Sequence, residues 1–297
     1  MEYDFSNCTL CPRKCGADRL NGTGFCGGGK EIRAAKAYRH MWEEPCLSGT
    51  NGSGTVFFSG CGLRCVFCQN YKISAENAGK EITPSRLGEI FLELQQQGAH
   101  NINLVTAGHY VPQVITALDN IKHKLDIPVA YNSGGYELVS TLKMLEGYID
   151  IYLPDFKYYD NEIAAKYSSA PDYREIACEA LEEMYRQVGA PQYSEDGLLK
   201  KGMIVRHLIL PTHRHDSINV FEELKRRFGT EKILVSLMRQ YTPFYHSSEF
   251  KELTRKVYAF EYDSVLAKIN ELGFSGFVQD KTAADEEYIP DFDFVGI

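Results

Sequence analysis

The sequence predicts an α/β fold, an open and partial (β/α)6 barrel of the TIM type with a small Cys-rich extension at its N-terminus. A length of 297 residues, with 44% hydrophobic and 24% charged residues, fits one large domain with a small appendage. From Thr55 onward, short β-branched runs alternate with longer segments of helical period, which is typical of a parallel sheet with crossover helices. Each motif described below falls at the end of a predicted strand, where barrels of this kind carry their chemistry.

Six βα units can be counted along the chain, or seven if a short partial unit near its end is included. The first predicted helix begins at Thr83 and Pro84, since threonine can cap a helix and proline suits its first turn. Apolar residues then recur at helical spacing up to Gly98. The predicted strands are residues 55–59, 102–106, 128–131, 149–153, 203–210, 233–237 and 276–278. An acidic tail follows the last strand.

Composition divides the chain into residues 1–52, a Cys- and Gly-rich metal-binding extension, and residues 53–297, the partial barrel with the C-terminal tail. No apolar run approaches the roughly 18 residues that span a bilayer, and residues 1–10 do not resemble a secretory signal. We therefore expect a cytoplasmic protein. A net charge of −8 argues against tight non-specific binding to nucleic acid or to anionic membranes.

Cysteine is concentrated in the first quarter of the chain, which in a cytosolic protein indicates metal ligation. Cys61, Cys65 and Cys68 lie on one short loop after the first predicted strand. A cubane iron–sulfur cluster normally takes four thiolates, so three would leave one iron open as a substrate site. Glycines on both sides of Cys61 would let the backbone approach such a cluster closely. A zinc knuckle or a buried cysteine cluster remains an alternative on spacing alone.

Residues 57–70, including Phe67 just before the third cysteine, resemble the radical S-adenosylmethionine (SAM) superfamily. Within it, residues 8–15, 103–106 and 152–158 are most similar to glycyl-radical-activating enzymes, the group that includes pyruvate formate-lyase activating enzymes. The resemblance implies a [4Fe–4S] cluster whose open iron binds SAM, reductive cleavage to a 5′-deoxyadenosyl radical, and hydrogen abstraction from a substrate. Phe67 is expected at the cofactor.

The resemblance also implies partners. These are a glycyl radical enzyme or another peptide substrate, and an electron donor of the flavodoxin or ferredoxin type. Two alternatives stay open: a radical SAM enzyme that modifies a different peptide, RNA or small molecule, and a non-catalytic iron–sulfur or zinc protein. Only the last predicts that SAM is not cleaved.

Further cofactor contacts are expected after the second and third strands. The superfamily usually places Gly-Gly-Glu after the second strand, where this chain has Thr106 and His109 in the sequence Thr-Ala-Gly-His. Thr106 and backbone carbonyls could replace the missing contact to the cofactor's amino group, and His109 could add a polar contact. Asn132 and Ser133 begin a Gly-containing turn that resembles the turn by which activating enzymes approach the ribose and carboxylate of SAM.

Charged residues follow the fourth strand and interrupt the fifth. Asp155 and Lys157 match the Asp-x-Lys of activating enzymes, where the resemblance assigns the aspartate to a monovalent-cation site and the lysine to the cofactor carboxylate. Strand alternation puts both on one side. Arg206 and His207 lie within an apolar run, and we expect one of them to point into the barrel and to pair with a carboxylate of the cofactor or the substrate.

Four thiolates in the extension could close a second metal site, either structural zinc or an auxiliary iron–sulfur cluster. These residues are Cys8, Cys11, Cys15 and Cys26. The spacing from Cys11 to Cys15 is looser than that of zinc ribbons and resembles the spacing from Cys61 to Cys65, which slightly favours a cluster. We expect the remaining two cysteines, Cys46 and Cys178, to bind no metal.

Overall fold

The computed structural model describes residues 3–279 and 290–297, in which ten strands and nine α-helices form a mixed α/β fold. The strands are β1 (Ile32–His40), β2 (Ser53–Phe58), β3 (Lys80–Ile82), β4 (Ile102–Val105), β5 (Val129–Ser133), β6 (Ile151–Pro154), β7 (Gln192–Tyr193), β8 (Leu199–Leu208), β9 (Leu234–Met238) and β10 (Gly276–Val278). The helices are α1 (Pro45–Ser48), α2 (Tyr71–Ser74), α3 (Pro84–Gln96), α4 (Val111–Ile121), α5 (Val139–Met144), α6 (Asn161–Ser168), α7 (Tyr173–Val188), α8 (Arg214–Phe228) and α9 (Ala259–Leu272). Residues 280–289 of the predicted acidic tail lie outside the described residues.

The sheet confirms the predicted partial barrel. Its order is β10-β9-β8-β6-β5-β4-β2-β1-β3, with β7 paired to β8, and the run from β2 to β10 is parallel throughout. These seven parallel strands are the seven that the sequence predicts. Their two end strands do not pair with each other in the described part of the chain, so the barrel stays open. The strand ends that carry the predicted motifs therefore meet on one face.

Strands β1, β3 and β7 were not predicted. β1 pairs antiparallel with β2, and β3 pairs antiparallel with β1, so two of these strands extend the sheet beyond its parallel part. β1 belongs to the N-terminal extension by sequence but lies in the same sheet as the barrel. The boundary near residue 52 stays a prediction.

Helix α3 illustrates how local sequence produces these elements. Thr83 caps it, because its Oγ1 accepts a hydrogen bond from the backbone N–H of Arg86 at 3.2 Å. The residues at helical spacing form its buried face; these are Leu87, Ile90, Phe91 and Leu94. Gly88 lies where α3 meets α4, since a Cβ there would come within 3.0 Å of Ile121. The predicted N-terminal cap and apolar stripe are therefore confirmed.

The short helix α1 closes the end of the barrel opposite the motif-bearing strand ends. Its buried Cys46 and Leu47 join a hydrophobic cluster with side chains from β5, β6, β8 and β9. We call α1 and the two residues before it, Glu43 and Glu44, the floor of the barrel. In the part of the chain that the structure describes, no helix has both the length and the apolar character needed to cross a membrane.

Candidate functional site

The cysteine loop begins directly after β2, and its backbone is shaped by close contact with the N-terminal extension. Gly60 has a φ of +89°, and a Cβ on it would lie 2.5 Å from the carbonyl oxygen of Cys26. Only glycine meets both conditions. The N–H of Cys61 then donates to that same Cys26 carbonyl at 3.0 Å.

Cys61, Cys65 and Cys68 all line one cavity of about 430 Å³. The Oγ of Ser168 donates to the Sγ of Cys65 at 3.0 Å, and the Oγ of Ser74 lies 3.2 Å from the Sγ of Cys68. Burial raises the pKa of Cys68 to about 12. The thiolate form of these cysteines therefore needs a positive partner such as iron.

The other predicted residues of the main cavity come from the ends of β4, β5, β6 and β8 and from the loop itself. They are Phe67, Thr106, Asn132, Ser133, Asp155, Lys157 and Arg206. Phe67 packs edge-on against Tyr241 with ring centroids 5.9 Å apart. Thr106 has a φ of +63°, which is strained for a β-branched residue. The tertiary structure thus brings together residues that are spread over 140 positions of the sequence (206 − 67 + 1).

Asp155 stands between two cations at the centre of the cavity. Its carboxylate lies 2.5 Å from the Nζ of Lys157 and 3.3 Å from the Nε of Arg206. Burial alone would raise the pKa of Asp155, but these two cations hold it below its usual range. The side chains of Asp155 and Lys157 therefore do lie on one side, as strand alternation predicts.

Arg206 is the residue of its pair that faces the cavity, but its partners differ from those predicted. Its guanidinium donates to Glu43 at 3.2 Å and to the Oδ1 of Asn132 at 2.7 Å, in addition to Asp155. The protein's own carboxylates thus compensate it, where we had expected the cofactor or substrate to do so. His207 points to the other side, with Nδ1 2.7 Å from the carbonyl of Phe156.

His109 lies behind the cysteine loop and does not line the main cavity. Its Nε2 is 2.8 Å from the carbonyl oxygen of Ser59, and its own carbonyl accepts from the Nη1 of Arg19 at 2.6 Å. Burial lowers its pKa to about 4, so the ring is neutral and Nε2 donates. In this position His109 supports the residue from which the loop departs.

The N-terminal cysteines lie against the same loop. Cys8 and Cys26 are buried, Cys11 is partly buried and Cys15 is exposed. Cys11 and Cys26 line a cavity of about 30 Å³ that also reaches Cys61. Within residues 3–279 and 290–297, no three Cys, His, Asp or Glu side chains are arranged to hold a single metal ion. The cysteines of a cubane cluster bind different irons and need not converge on one point.

An arginine clamp connects the extension to the loop. The Nε of Arg13 donates to the carbonyl of Gly62 at 2.7 Å, and its Nη2 donates to the carbonyl of Ser168 at 3.0 Å. The guanidinium also stacks on Phe25 at 4.6 Å from the ring centroid. From the other side, Arg64 donates to the carbonyl of Phe25 at 2.5 Å.

The main cavity has the features of a ligand site. Glu44 and Asn70 line it, and each has a buried oxygen without a hydrogen-bond partner, Oε2 in Glu44 and Oδ1 in Asn70. Buried polar atoms are normally paired, so such atoms at a cavity suggest a missing ligand or water. Together with three cysteines on one wall, these residues fit an iron–sulfur cluster with a bound polar cofactor.

Sequence reasoning missed the floor residues and Tyr173. The hydroxyl of Tyr173 lies 2.9 Å from the carbonyl of Gly134 and 3.0 Å from that of Asp155, so it joins the ends of β5 and β6. No local pattern marks this tyrosine, which lies in α7. Glu43 and Glu44 stand directly before Pro45, where α1 begins, and no local pattern marks them as part of the site.

Comparisons with known proteins agree with this geometry. Residues 55–191 match the sequence model of the radical SAM superfamily. An uncharacterized protein of Methanocaldococcus jannaschii is 29% identical over 273 residues, which covers 88% of this chain and 74% of the relative.

Two solved structures match this chain, and the first of them supports the fold. A radical SAM methyltransferase from Sphaerobacter thermophilus superposes with a TM-score of 0.53 at 12% identity, over 80% of this chain and 69% of that one. Streptococcus suis SuiB bound to S-adenosylmethionine gives a TM-score of 0.49 at 12% identity, over 76% of this chain. The match covers 50% of the length of the SuiB chain.

Proposed function

We propose that this chain, whose residues 55–191 match the sequence model of the radical SAM superfamily, reductively cleaves SAM at a [4Fe–4S] cluster bound by Cys61, Cys65 and Cys68. The observation that carries this proposal is the single cavity of about 430 Å³, which those cysteines share with Asp155, Lys157 and Arg206. When bound, a cluster with one open iron would supply the electron that cleaves the sulfonium of SAM, and the cleaved SAM would supply the radical that abstracts hydrogen.

The protein's own residues bind, orient and shield the reactants. Lys157 is placed to bind the cofactor carboxylate, and Asp155 fixes the lysine's position through their 2.5 Å contact. Asn132 is held by Arg206 at 2.7 Å, so its amide is preorganised at the end of β5. Phe67 packs against Tyr241, and both rings line the same cavity as the cysteines and would add an apolar wall beside the reactants. His109 keeps its position behind the loop and moves no proton.

As the finer function we propose that the radical is passed to a glycine of a partner enzyme. This rests on the similarity of residues 8–15, 103–106 and 152–158 to glycyl-radical-activating enzymes. A flavodoxin- or ferredoxin-type protein would supply the electron. The cysteines of the extension would bind a second iron–sulfur cluster or a zinc ion next to Cys61, with which Cys11 and Cys26 share the small cavity.

The first test is anaerobic reconstitution with iron and sulfide, reduction in the presence of SAM, and assay for 5′-deoxyadenosine. Wild type should form the product and Cys65→Ala should lose it. Cys178→Ala is the matched control, because Cys178 is a buried cysteine of α7 that does not line the cavity. Absence of product from a fully reconstituted wild-type protein would contradict the proposal and favour a non-catalytic metal protein.

The second test addresses the glycine. Synthetic peptides, each with one glycine dideuterated at Cα, are incubated with the reduced enzyme and SAM, and the 5′-deoxyadenosine is analysed by mass spectrometry. Transfer of deuterium from a peptide glycine would support an activating enzyme. Product formation with no deuterium from any of the peptides would instead favour a radical SAM enzyme that acts on another substrate.

A further inference from the structure

The floor of the barrel carries two adjacent carboxylates that the proposed cofactor chemistry does not use. Glu43 contacts Asn103 near the start of β4, and Glu44 faces Ser236 in the middle of β9. Both therefore lie toward the N-terminal side of the parallel strands, away from the strand ends that hold the cysteine loop. The backbone of Glu44 is fixed, because its carbonyl accepts from the N–H groups of Leu47 and Ser48.

The two carboxylates differ in how well they are satisfied. Glu43 accepts from Asn103 at 2.9 Å and from Arg206 at 3.2 Å, so both its oxygens are paired. Glu44 is only 9% exposed and lines the main cavity, yet its Oε2 has no hydrogen-bond partner. A carboxylate buried without a full set of donors is costly, and native structures rarely keep one without a function.

The charged residues described around the cavity also indicate that Glu44 lacks a cationic partner. Among the described residues that line it, Glu43, Glu44 and Asp155 are acidic, whereas Lys157 and Arg206 are basic. His40 also lines the cavity, but burial and nearby Arg206 lower its pKa to about 4, so it adds no positive charge at neutral pH. Asp155 and Glu43 already share the two cations through ion pairs. Within the described part of the chain Glu44 is the acid of this group that forms no ion pair, and its burial raises its pKa, so a bound cation is needed to hold it as a carboxylate.

We propose that Glu44 binds a cationic group of the substrate, a protonated amine or a guanidinium, at the floor of the barrel. A cation there would donate to the Oε2 of Glu44 and compensate the charge of this one carboxylate. The substrate class is therefore a molecule with a basic group, such as a peptide with a lysine or arginine side chain that enters the barrel. That the bound cation is part of a substrate rests on the proposed function. That Glu44 binds a cation does not depend on it.

The binding test uses two small probes of matched shape, n-butylguanidinium and n-butylurea, with the reconstituted protein and SAM present. Calorimetry should show that the guanidinium binds at least about tenfold more tightly than the neutral urea, because only the cation compensates Glu44. In Glu44→Gln this preference should fall below about twofold. Glu93→Gln is the control, since Glu93 is a half-exposed carboxylate of α3 far from the cavity.

Three outcomes would overturn the inference. They are equal binding of the two probes by wild type, an unchanged preference in Glu44→Gln, and binding of the guanidinium only when SAM is omitted, which would assign Glu44 to the cofactor. The comparison of probes on wild type needs no variant and does not depend on how Glu44→Gln folds. Absence of 5′-deoxyadenosine from the reconstituted wild-type protein in the earlier test would contradict the proposed function, whereas these outcomes concern only the floor.

Discussion

At the scale of single residues, Lys157 compensates a buried acid of the site, Asp155. It is paired with Asp155 at 2.5 Å, and both side chains are largely buried, with 17% and 13% exposed. Removing one partner of a buried pair usually costs more than the pair itself contributes, because the other charge stays behind. Arg206 still contacts Asp155, so the loss should lie at the lower end of the usual range.

We therefore predict that Lys157→Met lowers the free energy of unfolding by about 3 kcal/mol. Urea denaturation of the apoprotein measures this. Arg86→Met is the control, because Arg86 pairs with Glu93 at the surface of α3 and such pairs contribute roughly 1 kcal/mol or less. Equal losses of unfolding free energy in Lys157→Met and Arg86→Met would show that burial does not make the Lys157–Asp155 pair more important to stability than a surface pair.

Thr106 combines a strained backbone with a side chain in the site, so a variant at this position can lose activity without losing stability. Its φ of +63° strains the backbone, while its side chain lines the cavity directly after β4. We predict that Thr106→Gly changes stability by less than about 1 kcal/mol, because relief of strain offsets the greater freedom of the unfolded chain. Formation of 5′-deoxyadenosine should nevertheless fall.

Two further variants check this prediction. Thr106→Ala keeps the strained φ and should be less stable than Thr106→Gly in the same denaturation experiment. Thr212→Gly changes a threonine with a φ of +70° that does not line the cavity, so its activity should equal that of wild type. Full activity in Thr106→Gly would show that the Thr106 side chain is not needed at the cofactor.

At the scale of elements, the N-terminal extension acts as a support for the cysteine loop. Arg13 bonds to the carbonyls of Gly62 and Ser168, and Ser168 in turn donates to the Sγ of Cys65. The N–H of Cys61 is fixed by the Cys26 carbonyl. The loop that we propose binds the cluster is therefore held by contacts with Arg13 and Cys26, which lie outside the residues that match the superfamily, 55–191.

We predict that Arg13→Ala still folds but loses iron from the Cys61–Cys65–Cys68 cluster several times faster than wild type when a chelator is added. Iron loss from this cluster is followed by EPR of the reduced protein. The signal to follow is the one that changes when SAM is added. Arg13→Lys should lie between the two, because lysine keeps the charge but cannot form the same fork of hydrogen bonds. Arg226→Ala, at an exposed position of α8, serves as the control. Identical rates of iron loss in Arg13→Ala and wild type would show that the contacts of Arg13 do not stabilise the cluster site.

At the scale of the whole molecule, the end of the chain returns to the edge of the parallel sheet. Residues 290–297 lie along β1, where the N–H of Ala37 donates to the carbonyl of Val295 at 2.9 Å. Phe292 packs on Phe57 with ring centroids 5.6 Å apart, and Pro290 lines the main cavity. This segment, which we call the return segment, thus links the outer strand of the sheet to the site.

We predict that deleting residues 290–297 lowers the free energy of unfolding by roughly 2 kcal/mol, because an aromatic side chain and a backbone hydrogen bond are lost. Thermal denaturation followed by circular dichroism measures the change. Asp293→Asn should have a much smaller effect, since it removes only the ion pair to Lys36 at a half-exposed carboxylate. No change on deletion would mean that the return segment is not part of the stable fold.

The sequence by itself determined the parallel strands, the amphipathic helices and the cysteine loop. Hydrophobic periodicity and cysteine spacing are local signals, so the strand of Cys61 and the cap at Thr83 could be read directly. The position of motifs at strand ends also predicted that Asp155, Lys157 and Arg206 would share a site, because parallel strands bring their ends to one face.

Only the tertiary structure decided how the buried charges are paired and which residues close the barrel. Arg206 meets Glu43 across 163 positions of the chain, and Arg13 meets Ser168 across 155. Such contacts depend on how distant elements pack, and no periodicity within a segment encodes them. For the same reason β1 and Glu44 were missed. Their roles follow from the sheet edge and the barrel floor, which exist only after the chain has folded.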